Sequence, residues 1–376
     1  MSKATRGRIY SGAEVAKHNT RASCLVTYSG KVYDLTTFLP DHPGGDDVLL
    51  AHAGQDIGKV MDDENIHVHS RAAYEMMEEF KVGELGGGEK IVSEDWVPDE
   101  NFMPTDTDLL SDYNVNKFID LSKPLLIQVW NAPWSKEYYL SQVHEPRHLK
   151  ESARLFESDL LEPFTRTKWF VVPVIWWPIA GFLGWLSVLQ FVDQSISAKS
   201  LLGAIQNLSC KGLPVPTASA FGLFGLCFAV GVLIWTILEY LLHRFLFHLD
   251  YYLPDTHWAI TLHFLLHGVH HYLPMDRLRL VMPPLLFFAL QTPFTRLAHL
   301  IFPTAIANGI ISGSFAMYVV YDLGHYALHH TRLPAYLAEM KRYHLAHHYK
   351  NFELGFGVTS KMWDYVFGTV LPTTTK

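Results

Sequence analysis

The chain has 376 residues, 49% hydrophobic, 14% aromatic and only 18% charged, and its apolar residues gather in long runs after residue 168. This composition indicates a membrane protein of two or three domains. The formal net charge of -7 is split: residues 1–115 carry 21 acidic and 10 basic side chains (-11), residues 116–376 carry 16 and 20 (+4), and no run of Lys and Arg points to nucleic acid. An acidic head on a basic body is suited to electrostatic docking, although two separately solvated surfaces have the same composition. Cys24, Cys210 and Cys227 form no CxxC, which argues against a disulfide framework or a thiolate metal site. The polar start, Met1 to Arg8, leads into no apolar stretch, so no cleaved signal peptide is expected.

Residues 9–85 read as a small α+β domain. Cys24–Tyr28 and Lys31–Leu35 are strand-like runs split by Ser29-Gly30, a turn signal. His42 stands on a Pro-Gly-Gly turn at 43–45, where backbone can approach closely. His67 and His69 offer a second imidazole downstream. Two histidines on opposing loops can ligate a haem iron from both sides, leaving no open position, and such a haem transfers electrons. The run from Val32 to Gly45, with Ala53-Gly54 behind it, resembles the haem-binding core of the cytochrome b5 family. The second ligand there is a His followed by Ser, which matches His69-Ser70, with His67 as the competitor; the resemblance therefore implies haem b held by His42 and His69.

Residues 86–115 read as an acidic, flexible linker, with a Gly86-Gly-Gly start and scattered prolines. Such a tether would hold the haem domain at a range of distances from the body and raise its effective concentration there. Residues 116–168 mix apolar, aromatic and charged side chains; helices lying at the membrane surface, or packed against the catalytic body, both fit. Residues 169–376 form the membrane domain. The first span runs from Trp169 to Val192, with a kink favoured by Pro173 and Pro178, and the second from Ala218 to Leu242. The connecting loop has only Lys199 and Lys211, so the positive-inside rule puts it in the lumen and both termini in the cytosol. It contains Asn207-Leu-Ser209, an N-glycosylation pattern. The histidine segments on either side of residues 280–321 must share one site, so that stretch crosses an even number of times. Leu280–Leu290, interrupted by Pro283-Pro284, and Ile301–Tyr321 supply the third and fourth segments, the third being a full or half-depth span.

Fourteen of the 21 histidines lie between 243 and 348. They form His243/His248, His267/His270/His271, His325/His329 with His330, and His344/His347/His348. HxxHH on a helix brings three imidazoles to neighbouring positions, and i, i+4 does the same for His325 and His329. Imidazole is the commonest metal ligand near neutral pH and suits iron, zinc and copper. Ten imidazoles exceed the needs of one ion and suggest two. His263 and His330 fall outside the cleanest spacing, and His144 and His148 have the ordinary reading of surface or core residues.

The pattern HxxxxH, HxxHH, HxxxH, HxxHH, with Leu121-Ser-Lys-Pro, Gln142-Val-His-Glu-Pro-Arg-His148 and Leu161-Glu-Pro-Phe before it, resembles the fatty acid hydroxylase superfamily. The fused order resembles the members that hydroxylate the acyl chain of ceramide, or of its fatty acyl precursor, at C2. The resemblance implies a monooxygenase of the endoplasmic reticulum membrane that uses dioxygen and a dimetal site. Iron is expected in the active enzyme, and zinc is equally compatible with imidazole in a purified sample. It also implies a lipid substrate and an electron donor such as cytochrome b5 reductase. Tyr321 and Asp322, just before His325, are placed at the catalytic centre as substrate-lining or ligand-orienting groups, with a helix-end hydrogen bond as the other reading for Asp322. A sterol-directed oxidase of the same superfamily and a non-catalytic, membrane-anchored electron carrier are the alternatives.

Overall fold

The sheet of the N-terminal domain follows directly from the alternation of its strands. The structure, a computed structural model, describes residues 8–61, 68–86, 98 and 102–372. The His67 alternative and the acidic run from 62 therefore lie outside the described residues. Five strands, β1 (Arg8–Ser11), β2 (Asn19–Thr20), β3 (Ser23–Tyr28), β4 (Lys31–Asp34) and β5 (Lys81–Gly86), are ordered β1-β5-β4-β3-β2, with only β1 and β5 parallel. Ser29 and Gly30 both have positive φ (49° and 73°), which matches the twist of a tight β3–β4 hairpin. Side chains alternate across β3 and β4. Leu25 and Val32 pack with Val15 of α1 (Gly12–Lys17) on one face. Cys24, Val26 and Tyr33 pack on the other face with Leu39 and Met77, beside α2 (Asp46–Ala51), α3 (Gly58–Met61) and α4 (Arg71–Met77).

The linker expected over 86–115 is shorter on its C-terminal side. Phe102 packs edge-on against Tyr349, the Thr107 amide donates to the His148 carbonyl (2.9 Å), and Asp108 caps α5 (Leu109–Asn116). Asp112 accepts from the buried Arg147 guanidinium at 2.9 Å, so residues 102–115 belong to the body.

Residues 116–168 pack against the body, the second of the two arrangements the sequence allowed. Helices α6 (Leu125–Trp130) and α7 (Lys136–Val143) put Leu125, Val129, Tyr138, Tyr139 and Val143 into one core with Ile260, Phe264 and Tyr272. The aromatic rings decide this: Phe118 meets Trp134, Tyr138, Tyr139 and Tyr272 at centroid separations of 4.3–6.3 Å.

Among the described residues, three helices are long and apolar enough to cross a membrane: α8 (Val171–Val192), α10 (Ala218–Leu241) with the turn that continues it, and α14 (Thr304–His330). The fourth, α13 (Pro284–Ile301), is an 18-residue helix interrupted by Pro293 and carrying Arg296 and His299. It is not apolar enough to count as a span on composition, so the expected four reduce to three plus this helix. The loop between α8 and α10 contains a further short helix, α9 (Ala198–Gln206), capped by the Ser197 hydroxyl. Glycine sets the distance between α10 and α14: a Cβ on Gly231 would lie 2.0 Å from the Ile310 carbonyl oxygen, and one on Gly313 would lie 2.1 Å from that of Phe228. Polar side chains tie the bundle together, Ser312 to the Ala180 carbonyl (2.7 Å), Ser187 to that of Ala305 (2.6 Å) and Asn308 to Gln190 (2.8 Å). In lipid, close van der Waals packing and such bonds replace the hydrophobic drive that holds soluble bundles together.

Candidate metal centre and haem pocket

The histidine segments lie at the ends of α10 and α14 and on α11 (His257–His263), α12 (Val269–Tyr272) and α15 (Ala335–Tyr349). In an α-helix, residues five apart point about 140° away from each other, so the HxxxxH spacing alone does not bring His243 and His248 together. The chain meets this with a π turn over Leu242–Phe247, in which the His248 amide donates to the His243 carbonyl at 3.0 Å. A second π turn, Phe264–Gly268, carries His267. Such turns concentrate at functional sites because they re-aim side chains within a helix.

Ten imidazoles converge in two groups of five. His243, His248, His267, His271 and His347 form one, and His270, His325, His329, His344 and His348 the other; the ligating nitrogens of each lie within 4.8 Å of one another. Each HxxHH segment gives its i, i+4 pair to one group and its middle imidazole to the other, because adjacent helical residues point about 100° apart. All ten residues brought together are those singled out from the sequence, while His263 and His330 stand outside both groups. Nitrogens opposed across one ion at about 2.1 Å lie roughly 4.2 Å apart, so each group has the dimensions of a single coordination sphere. Several imidazole nitrogens face one another at close range: His329 and His344 at 3.0 Å, His248 and His347 at 3.1 Å, His344 and His348 at 3.2 Å, all Nε2. His243 Nε2, His267 Nε2 and both nitrogens of His270 and His271 are buried with no hydrogen-bond partner among the described residues. Burial, with the neighbouring imidazoles, lowers the pKa of His267, His270, His271, His344, His347 and His348 well below the ordinary value. They are held as neutral imidazoles, the form that ligates metal. The donor set thus fits two metal ions.

The outer partners of these rings were not legible in the sequence. His243 Nδ1 donates to the Phe356 carbonyl (2.6 Å) and His347 Nδ1 to that of Leu354 (2.7 Å), which turns both Nε2 atoms inward. The loop bearing those carbonyls is held by the buried Asp364, whose carboxylate accepts from the Phe356 and Gly357 amides (3.0 and 2.9 Å) and the Thr369 hydroxyl (2.8 Å). Asp250 faces His248 Nδ1 at 3.2 Å and His144 Nε2 at 2.7 Å. His144 is therefore more than the ordinary core residue read from the sequence, since it also stacks on Phe352, 3.5 Å between centroids. The two-residue step from His248 to Asp250 was the one available signal; nothing near Asp364 announced its role.

A cavity of about 450 Å³ is lined by His267 of the first group and His270 and His325 of the second, together with Tyr321 and Asp322, and has Phe247 and Met282 in its wall. Phe247 and Met282 also line a smaller, almost wholly apolar cavity of about 220 Å³ between α10, α13 and α14. Tyr321 lies nearly parallel to the His325 ring, at 6.1 Å. Asp322 accepts from the Met282 amide (3.1 Å) and the Tyr318 hydroxyl (3.1 Å). It thereby fixes the backbone of the cavity wall, close to the helix-end reading.

In the haem domain, Phe38 meets His42 edge-on at 5.8 Å and Tyr74 meets His69 at 6.4 Å. Both imidazoles border the sheet face that carries Leu39 and Met77. His42 Nδ1 donates to the Gly45 carbonyl (2.9 Å), leaving Nε2 as the free donor. A Cβ on Gly44 would lie 2.9 Å from His42 Cε1, so the Pro-Gly-Gly turn makes room for the ring. These features fit a haem held at His42. His69 precedes α4, whose N-cap Ser70 accepts from the Ala73 amide.

Two family profiles match, the cytochrome b5-like heme/steroid binding domain over residues 11–86 and fatty acid hydroxylase over residues 228–369. The chain is 41% identical to the ceramide very long chain fatty acid hydroxylase SCS7 of Saccharomyces cerevisiae, over 96% of this chain and 94% of that protein. This chain belongs to the fatty acid hydroxylase family. It is also 37% identical to the fatty acid 2-hydroxylase of Rattus norvegicus, over 96% and 95% of the two chains. Among solved structures it resembles full-length scs7p, in which only the hydroxylase domain is visible, with a TM-score of 0.63, 42% identity and coverage of 74% of this chain and 95% of that one. The family member described here thus joins a cytochrome b5-like domain to a helical hydroxylase domain with apolar, membrane-length helices.

Proposed function

We propose that this protein is a membrane monooxygenase that adds a hydroxyl at C2 of the acyl chain of ceramide or its fatty acyl precursor. The observation that carries the reading is the largely apolar cavity lined by His267, His270 and His325 of an all-imidazole double site. Ten neutral imidazoles at 243, 248, 267, 270, 271, 325, 329, 344, 347 and 348 hold two metal ions, which supply dioxygen activation when bound. Iron is the metal expected for turnover, with zinc compatible with the same donors. His42 and His69 hold haem b. The acyl chain lies along the cavity bounded by Phe247 and Met282, and Tyr321 closes its polar end. Asp322 keeps the Met282 backbone in place, so it positions the wall. Relatives named for ceramide and fatty acid 2-hydroxylation support the substrate class.

The hydroxylation consumes two electrons and two protons per dioxygen: R–H + O2 + 2e⁻ + 2H⁺ gives R–OH + H2O. Haem held by His42 and His69 would supply the one-electron transfers, its electrons drawn from a flavin reductase such as cytochrome b5 reductase. The endoplasmic reticulum membrane, with both termini in the cytosol, is the location that fits. The histidines that follow α10 and those that follow α14 meet in one site, which supports their lying on one side of the membrane.

The test is mass spectrometry of ceramides in cells lacking this activity. Expression should add one oxygen at C2 of the acyl chain. His344→Ala should abolish product and keep the haem spectrum; His42→Ala should lose both. Unchanged ceramides with intact haem and membrane insertion would refute the substrate assignment, and full activity of His42→Ala would refute the electron route.

A further inference from the structure

Among the described residues, the haem domain meets the hydroxylase body where strand β1 and helix α1 lie against α7. Strand β1 lies against α7, and the Ser135 hydroxyl, which also caps α7 by accepting from the Tyr138 amide (3.0 Å), donates to the Glu14 carboxylate at 2.8 Å. Glu14 is 5% exposed and Ser135 1%, so this is a closed contact between the domains rather than a rim ion pair. The carboxylate sits at the start of α7, where unpaired amides favour negative charge.

The edge that docks is on the wrong side of the sheet for electron delivery. Glu14 precedes Val15, and Val15 packs with Leu25, Val32 and Tyr10 on one sheet face. His42 and His69 border the opposite face, beside Phe38 and Tyr74 and above the core of Val26, Tyr33 and Met77. Seating the first face on α7 turns the haem ligands away from the contact.

We propose that the Glu14–Ser135 contact is a parking latch: docked, the haem domain presents its haem side to an external flavin reductase, and it must leave α7 to pass each electron to the body. This rests on the electron route proposed above. One electron reduces the ferric haem to ferrous when docked, and the same electron leaves it after release, so each turnover takes two such cycles. The chain allows the journey. The segment 87–97 joins Gly86 to the buried Pro98, and Phe102 beyond it is anchored on Tyr349, next to His348. At roughly 3.3–3.6 Å per residue, 11 residues span at most about 40 Å, which is long enough for the domain to turn over.

The experiment uses full-length, haem- and metal-loaded protein in detergent. In a Cys210→Ser background, which removes the exposed thiol, Glu14→Cys and Ser135→Cys are joined by a short bis-maleimide, which adds one thiol at each end. Two rates are read by haem absorbance: reduction by NADH with cytochrome b5 reductase, and reoxidation under dioxygen. The locked protein should be reduced within about twofold of the unlocked rate and reoxidised at least about tenfold more slowly. Glu14→Lys, which unseats the domain, should reoxidise at least as fast as wild type. Failure to cross-link, slow reduction when locked, unchanged reoxidation when locked, or slowed reoxidation in Glu14→Lys would each overturn the latch. Haem reoxidation is read without hydroxylated product, so loss of the substrate assignment alone leaves this test intact.

Discussion

Asp364 touches no predicted ligand, yet its removal should empty one metal position and spare the other. Its carboxylate accepts three hydrogen bonds, from the Phe356 and Gly357 amides and the Thr369 hydroxyl. Bonds to a charged group contribute about 1.5–3 kcal/mol each, so Asp364→Ala withdraws several kcal/mol from the loop at 354–357. That loop has no easy alternative course, since a Cβ on Gly357 would already lie 2.2 Å from the Ser360 carbonyl oxygen. The carbonyls it presents, of Leu354 and Phe356, orient His347 and His243, and both imidazoles belong to the same group of five. Loss of an outer hydrogen-bond partner costs about 10–100-fold in metal affinity. Two such partners fail together here, so metal content measured by plasma mass spectrometry after mild chelation should fall from about two ions per chain to about one. Hydroxylation should fall with it, while the haem spectrum stays unchanged. Retention of both ions at wild-type affinity would refute the reasoning; so would loss of both ions from a protein that still unfolds at the wild-type temperature.

Two further outcomes test the packing and the burial. Gly313→Leu sets a side chain against the Phe228 carbonyl, 2.1 Å from the position of its Cβ. It should cost about 3 kcal/mol or more, the upper part of the range for overpacking, and lower the unfolding temperature in detergent; an unchanged temperature would mean that α10 and α14 are not so close. His148, buried beside the Tyr349 hydroxyl, has its pKa lowered to about 4, chiefly by burial and next by Arg147. The unfolded imidazole binds its proton near pH 6.5, so stability is full above that value and falls by about 1.4 kcal/mol per pH unit between roughly 6.5 and 4. His148→Phe should flatten this decline in denaturant titrations at pH 5 and pH 7.5, and an identical slope in both proteins would refute it.

Much of the chemistry could be read from the chain because it rides on local spacing. His42 before Pro-Gly-Gly, and pairs of imidazoles four residues apart on a helix, keep their meaning whatever surrounds them. The long apolar runs likewise declared α8, α10 and α14, since a bilayer selects on length and composition. Three features were decided only by the tertiary structure. How 116–168 packs on the body depended on which aromatic surface Phe118 would meet. The division of ten imidazoles into two fives depended on two π turns and on which helices face each other. Of the outer groups, Asp250 meets His144 across 106 residues and the Phe356 carbonyl meets His243 across 113, while Asp364 acts through the loop that bears that carbonyl. A helix carries its periodicity in its own sequence, whereas a hydrogen bond closed between distant segments has no local pattern until packing brings its two ends together.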